Sequence, residues 1–202
     1  MTYILGLNCF HADSSAVLLN DGEIVFAIEE ERLRRIKHWA GFPSYAIKSC
    51  LQEARIKIND IDHIALNTSP FANLTKKILY SATNKISLKY LYERYKNKKE
   101  RFDIKNYLIK EFGPLNKHIK FHYLEHHLCH MASAYYASDF KESAVISIDG
   151  FGDFSSGAYG YGNNLNLNRE KTINFPHSLG TFYTAMTQYL GFPNYGDEYK
   201  VM

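Results

Sequence analysis

A pattern that runs twice through the chain constrains its fold more than any other feature. In the first pass, Thr2 to Leu7 is a short apolar run that reads as a buried strand. Asn8-Cys9-Phe10-His11-Ala12-Asp13-Ser14-Ser15 follows as a polar turn, and Ala16 to Leu19 is a second strand. Asn20-Asp21-Gly22 is a hairpin signal leading into a third strand, Glu23 to Ile28. Gly41-Phe42-Pro43-Ser44 then opens a helix over Tyr45 to Ala54, with Ser44 as its expected N-cap and Ala46, Ile47, Cys50, Leu51 and Ala54 on one face. In the second pass, Ser143 to Ile148 is a strand, Asp149-Gly150-Phe151-Gly152-Asp153 a turn, and Ser155 to Tyr161 a second strand. Gly162-Asn163-Asn164 is a hairpin turn, Leu165 to Ile173 a third strand, and Phe175-Pro176 precedes a helix over Thr181 to Leu190. Both passes are strand, polar turn, strand, hairpin, strand, Phe-Pro, helix, which reads as an internal duplication of a βββα unit.

Such a duplication predicts an α/β fold of the actin-like, sugar-kinase-like (ribonuclease H-like) class. There the turns after the first strand of each unit clasp a nucleotide's phosphates. Asp149-Gly150-Phe151-Gly152-Asp153 suits that work: glycines let backbone amides approach phosphate, and an Asp can hold a cation or position water. Alone, such a turn is more often just a tight turn; its place in a repeat gives it weight. The expected division is a first actin-like subdomain over residues 1–140, with a helical insertion at about 70–112, and the start of a second over 141–202. The second unit has no strands four and five, and Gly191 to Met202 reads as a loop opening another helix, so a truncated chain is expected.

Between the repeats lie a charged segment, Glu29 to His38, and a strand from Ile61 to Leu66. Most charges from Arg32 to Lys37 are expected to be solvated. Pro70 to Phe112 is rich in Lys, Tyr, Leu and Ile and reads as two or three helices. Within it, Lys89 to Arg101 interleaves basic and aromatic residues as a nucleic-acid patch would. With a net charge of only +3, a solvated helical insertion is the favoured reading and no nucleic-acid partner is expected. No apolar run reaches membrane-spanning length, so no membrane partner is expected either. Cys9, Cys50 and Cys129 are odd in number and far apart, which predicts reduced thiols and a cytoplasmic setting. An unfinished sheet in the second unit would leave an edge on which copies of the chain could associate.

Five of the nine histidines fall between His118 and His130, where a strand, His118 to Tyr123, leads into a helix from Glu125 to about Ala137. His126 and His130 are four apart, so their rings lie on one helical face within reach of one ion. Two imidazoles on one rigid element are half of a divalent-metal site. The alternative is a pair of helix histidines that hydrogen-bond locally, since no HExxH motif with its built-in base is present. Cys129 could ligate a soft metal, but such a residue is more often a small buried side chain.

Taken together, these stretches resemble the N-terminal part of the O-carbamoyltransferases of the nodulation-factor and antibiotic-biosynthesis type. The resemblance rests on Gly6-Leu7-Asn8 with His11-Asp13-Ser14-Ser15; on Glu29-Glu30-Glu31-Arg32 with Lys37-His38 and Gly41-Phe42-Pro43; and on His126-His127-Leu128-Cys129-His130 with Ala132-Ser133-Ala134. Asp149-Gly150 and Gly196-Asp197-Glu198-Tyr199-Lys200-Val201-Met202 complete it. It implies an actin-like fold similar to that of the tRNA threonylcarbamoyladenosine transferase. It also implies a divalent metal (Fe, Zn or Mn) on His126 and His130, with a further Asp ligand expected downstream of this chain. His127 would point about 100° away and either support the ion's ligands or serve the structure.

By the same resemblance, the complete enzyme uses ATP and carbamoyl phosphate, passes through carbamoyladenylate, and moves the carbamoyl group to a small-molecule or sugar hydroxyl. His11 is the expected base or oxygen-positioning group; a turn histidine facing solvent is the alternative. Asp13, Ser14, Lys37, Asp149, Gly150, Gly152 and Asp153 are the expected nucleotide- and carbamoyl-binding residues. Acyl transfer needs a base for the hydroxyl, charge stabilisation at the carbamoyl oxygen and neutralisation of the leaving phosphate. Two other functions are compatible with the fold: a sugar-kinase-like phosphotransferase and a non-catalytic nucleotide-binding remnant. The chain by itself is expected to have little transferase activity.

Overall fold

The computed structural model describes residues 1–84, 87 and 103–202. It divides into two compact units: Met1–Pro70 with Ser81–Leu124, and Phe71–Tyr80 with Glu125–Met202.

In the first unit, β1 (Tyr3–Asn8), β2 (Ser15–Asn20), β3 (Glu23–Glu29), β4 (His63–Leu66) and β5 (Lys120–Tyr123) form one sheet in the order β3-β2-β1-β4-β5. The first three strands are antiparallel, whereas β4 and β5 run parallel to β1. This is the ribonuclease H-like order on which actin-like folds are built. The β2–β3 turn works because Asp21 and Gly22 both take left-handed φ values, 48° and 93°, matching the twist of the strands they join. Alternation along β1 buries Leu5 and Leu7 on one face. They join Leu18, Ile64 and Leu66, the apolar stripe of α2 (Ser44–Glu53), and Ile104 and Leu108 of α4 (Ile104–Phe112) in one core.

Arg32, Arg35 and Lys37 are exposed, as expected for the charged run, but the residues just before them are drawn inward. The segment forms a short helix, α1 (Glu30–Arg34), and Glu30 is fully buried. The Glu30 carboxylate accepts from the main-chain N–H of Ala46 (2.7 Å) and of Tyr45 (3.2 Å), and from Arg34 Nε (2.7 Å). The Arg34 guanidinium lies over the rings of Trp39 (4.5 Å) and Tyr45 (4.4 Å). The start of α2 is therefore closed by Glu30 rather than by Ser44, which is the first helical residue and receives Arg34 Nη2 on its hydroxyl at 3.0 Å.

In the second unit, β6 (Glu142–Gly152), β7 (Ser155–Asn163) and β8 (Asn166–Asn174) form an antiparallel meander, followed by α6 (Leu179–Tyr189). The βββα order thus recurs. The expected turn at Asp149–Asp153 is mostly strand: β6 continues to Gly152 with a register shift after Ile148, and the tight turn is Asp153-Phe154, both left-handed. The histidine helix, α5 (His126–Tyr136), packs on β6 and β7, where Met131 and Tyr135 meet Val145 and Ala158. A Cβ at Gly162 would come within 2.3 Å of the Tyr135 ring, so glycine is what lets the helix ride this close to β7. Because α5 belongs to this unit, the division falls after Leu124 and not after residue 140.

Of the expected insertion, α3 (Leu74–Thr83) and α4 are helical, and Phe71–Tyr80 groups with the second unit. The Lys89–Arg101 stretch lies outside the described residues. The chain ends in a short 3-10 helix, Asp197–Lys200. Among the described residues, no helix is long and apolar enough to cross a membrane.

Candidate functional site

Helix α5 begins at Glu125, whose side chain caps it by accepting from Leu128 N–H at 2.9 Å and is itself held by Arg169. One turn of helix then presents His126 and His130 on the same side, with Nε2 to Nε2 at 3.0 Å. The bulged end of β6 brings Asp149 to them. Its Oδ2 lies 2.8 Å from His126 Nε2 and 3.5 Å from His130 Nε2. Donor atoms bound at about 2.0–2.2 Å to one ion are spaced roughly 2.8–3.6 Å apart, so the three edges of this triangle fit a single divalent ion. Two imidazoles and one carboxylate on one side leave further positions open, as suits iron, zinc or manganese. The carboxylate expected from beyond this chain thus has a counterpart inside it, in a residue that sequence reasoning assigned to nucleotide.

The electrostatics follow from this packing. Burial pulls the His126 pKa down, but the hydrogen bond to Asp149 and the charges of Asp149, Asp153 and Glu125 outweigh it, and the net shift is upward. Hydrogen bonds from His126 and His130 hold the Asp149 carboxyl far below the usual carboxylate range, against its partial burial. Burial lowers the pKa of His127, whose Nδ1 lies 2.8 Å from Ser147 Oγ inside the unit. His127 is thus turned into the interior of the unit, where it is fully buried. Burial, with Glu125 and Asp153, pushes the Cys129 thiol up to about 11, which makes it a poor thiolate ligand.

The turn residues take separate roles. A Cβ on Gly152 would lie 2.0 Å from the His126 ring, so this glycine makes room for the imidazole. Asp153 Oδ2 accepts from the main-chain N–H of His126 at 3.1 Å, pinning the start of α5 to the β6–β7 turn. Gly150 has open space where a side chain would stand, but its N–H donates to Asp149 Oδ1 (2.6 Å) and its carbonyl accepts from Ser178 Oγ (2.9 Å), so its backbone groups serve the turn.

A second cluster stands in the first unit. Asn8 Nδ2 donates to the carbonyls of Ala12 (3.3 Å) and Asp13 (3.0 Å), closing the turn after β1. Ser14 is buried, and its hydroxyl donates to the carbonyls of His11 and Gly41, so it frames the turn instead of facing a ligand as expected. Phe10 N–H to Gly41 O and Ser14 N–H to Trp39 O stitch this turn to the 35–41 loop. His38 Nδ1 meets Asp13 Oδ1 at 3.0 Å, and His38 N–H donates to Glu31 Oε2 at 3.0 Å. His11 is half-buried in the turn, and Lys37 is exposed beside His38.

The structure thus joins His126, His130, Asp149, Gly152 and Asp153 in the second unit, and His11, Asp13, Ser14 and Lys37 around one stitched turn in the first. Sequence reasoning missed His38 as the partner of Asp13 and Glu31 as the partner of His38. Their signal was the acidic-then-basic run that ends in Lys37-His38.

Fold and donor set define an actin-type α/β chain with a two-histidine, one-carboxylate cluster. The chain matches the carbamoyltransferase N-terminus family over residues 3–202, and it belongs to that family. Nodulation protein NolNO of Sinorhizobium fredii is 35% identical over 196 residues, which is 96% of this chain and 28% of that protein. An uncharacterized Synechocystis protein, sll1178, is 35% identical over 215 residues, all of this chain and 34% of its own length. The chain thus spans about a third of the length of these relatives. Among solved structures, YeaZ from Pseudomonas aeruginosa superposes with a TM-score of 0.38 at 15% identity, covering 86% of this chain and 65% of that one. That likeness is too loose to carry residue equivalences.

Proposed function

We propose that this chain contributes the transfer site of an O-carbamoyltransferase, moving a carbamoyl group from carbamoyladenylate to the hydroxyl of a small-molecule or sugar acceptor. The observation that carries this reading is the His126–His130–Asp149 triangle, in a chain of the carbamoyltransferase N-terminus family. Those three residues would hold an iron, zinc or manganese ion. When bound, the ion supplies positive charge to a phosphate or carbonyl oxygen. Asp153 and Gly152 keep His126 in place for it. Lys37 can neutralise the leaving phosphate, and His11 can take the acceptor's proton. Complete turnover would also draw on ATP and carbamoyl phosphate. The three free thiols fit a reducing, cytoplasmic compartment. Family membership favours this reading over a sugar-kinase-like phosphotransferase.

The test is the metal content of anaerobically purified protein, beside transfer from preformed carbamoyladenylate to hydroxyl acceptors. About one ion per chain is expected in the parent and none in the folded His126→Ala/His130→Ala variant. Equal metal in both would refute the metal assignment. With ATP supplied in a parallel reaction, a phosphorylated rather than carbamoylated acceptor would refute the carbamoyltransferase reading.

A further inference from the structure

The stretch from residue 70 to 112 carries no motif that the carbamoyl reading uses. One residue of it nevertheless reaches the turn that holds the metal-type cluster. Asn73 immediately precedes α3, and its carbonyl accepts from Lys77 N–H at 2.9 Å. Its side-chain amide is aimed away from that helix. Asn73 Nδ2 donates to the Asp153 carbonyl (3.0 Å) and to Ser155 Oγ (2.9 Å). Asp153 and Phe154 are the two left-handed residues of the β6–β7 turn, at φ 51° and 73°, and Ser155 is fully buried. The amide therefore bridges the two sides of a strained turn.

The same turn faces the cluster. Asp153 receives the His126 main-chain N–H, and Gly152 lies against the His126 ring. A chain of direct contacts runs from Asn73 to Asp153 to the first residue of α5. Two further contacts seat α3 on this unit without touching the turn's hydrogen bonds. Lys76 Nζ donates to Asn174 Oδ1 at 3.1 Å, and Tyr80 sets its ring edge-on to Phe175 at 5.0 Å.

We infer that Asn73 is a positioning residue for the His126–His130–Asp149 centre, fixing through Asp153 the angle at which His126 is presented. This rests on the metal reading above. Asn73 itself stands at φ 53°, a left-handed value that glycine adopts freely, so Asn73→Gly removes the amide while leaving the backbone at ease. Partners that orient a metal ligand are typically worth about 10–100-fold in metal affinity, and a loss of that size is expected for Asn73→Gly.

The experiment titrates the full chain with Co(II) and Zn(II), reading affinity and the Co(II) d–d spectrum, with thermal melting to confirm folding. Lys76→Ala is the control, because it loosens α3 without altering the turn. Expected are a weaker Co(II) affinity and a shifted d–d band in Asn73→Gly, with Lys76→Ala matching the parent. Parental affinity and spectrum in Asn73→Gly would overturn the inference alone. Equal losses in both variants would also overturn it, reducing α3 to a general brace. No metal bound by the parent would overturn the metal reading and this inference together.

Discussion

Replacing Glu30 by Ala tests the packing that supports the first unit's turn. Glu30 has no exposed surface, and three hydrogen bonds end on its carboxylate, two from the N-terminus of α2 and one from Arg34. Alanine would leave the Ala46 and Tyr45 amides without an acceptor and the Arg34 guanidinium without its anion. Hydrogen bonds to a charged group contribute about 1.5–3 kcal/mol each, and breaking one side of a buried ion pair costs about 3–5 kcal/mol in total. These terms overlap, since the same carboxylate supplies all of them, so a loss of about 4 kcal/mol is expected. In a chain of this length that lowers Tm by roughly 10 °C. Urea unfolding of the variant beside Arg34→Met and the double variant isolates the pair. Arg34→Met should cost less, because methionine still packs between Trp39 and Tyr45. A loss below about 1 kcal/mol for Glu30→Ala would show that water or a neighbouring group replaces the carboxylate at no cost, and that Glu30 does not hold α2.

Two further outcomes concern the second unit. Gly152→Ala places a methyl 2.0 Å from the His126 ring. Displacement of the imidazole should weaken metal binding by about 10-fold or more, measurable by competition with a chromophoric chelator. Metal affinity should also fall with pH, starting above the usual histidine pKa of about 6.5, because His126 holds its proton to higher pH and a ligand imidazole must be neutral. In the metal-free protein the same pair stabilises the fold with opposite limits. The His126 contribution is complete below about 6.5 and is lost as pH rises through its raised value, whereas the Asp149 contribution is present above about 3.9 and lost in acid. Zinc titrations between pH 5 and 8 that show no slope would contradict the assignment of His126 as a ligand.

The repeated strand-and-turn pattern was legible because its signals are local. Asp21-Gly22 makes a left-handed turn wherever it stands, and the alternation in β1 follows from one buried face. The ends of β6 were not legible. Asp149 to Gly152 has turn composition, yet pairing with β7 and packing against α6 draw it into a bulged strand. That single shift moves Asp149 from a phosphate-type turn to a place facing His126 and His130. The helical spacing of the two histidines was visible, because 3.6 residues per turn is a property of the backbone. Their carboxylate partner was not, because it depends on where another element ends. The burial of Glu30 was hidden for the same reason. A charged run looks solvated until a helix N-terminus fifteen residues later is seated on it.

The centre on α5 and β6 has a consequence for the order in which the chain acquires structure. His126 and Asp149 are 23 residues apart, one on α5 and the other in a meander whose pairings are all between neighbouring strands. In the first unit, β1 pairs with β4 across 59 residues (Ile4 with His63), and β4 with β5 across 57 (His63 with Lys120). Loop closure of that length is entropically slower than hairpin propagation. The three ligands can therefore meet through contacts spanning 23 residues, with Asn73 joining the turn from farther along the chain. A metal ion present during folding could capture them before the parallel strands of the first unit have found one another.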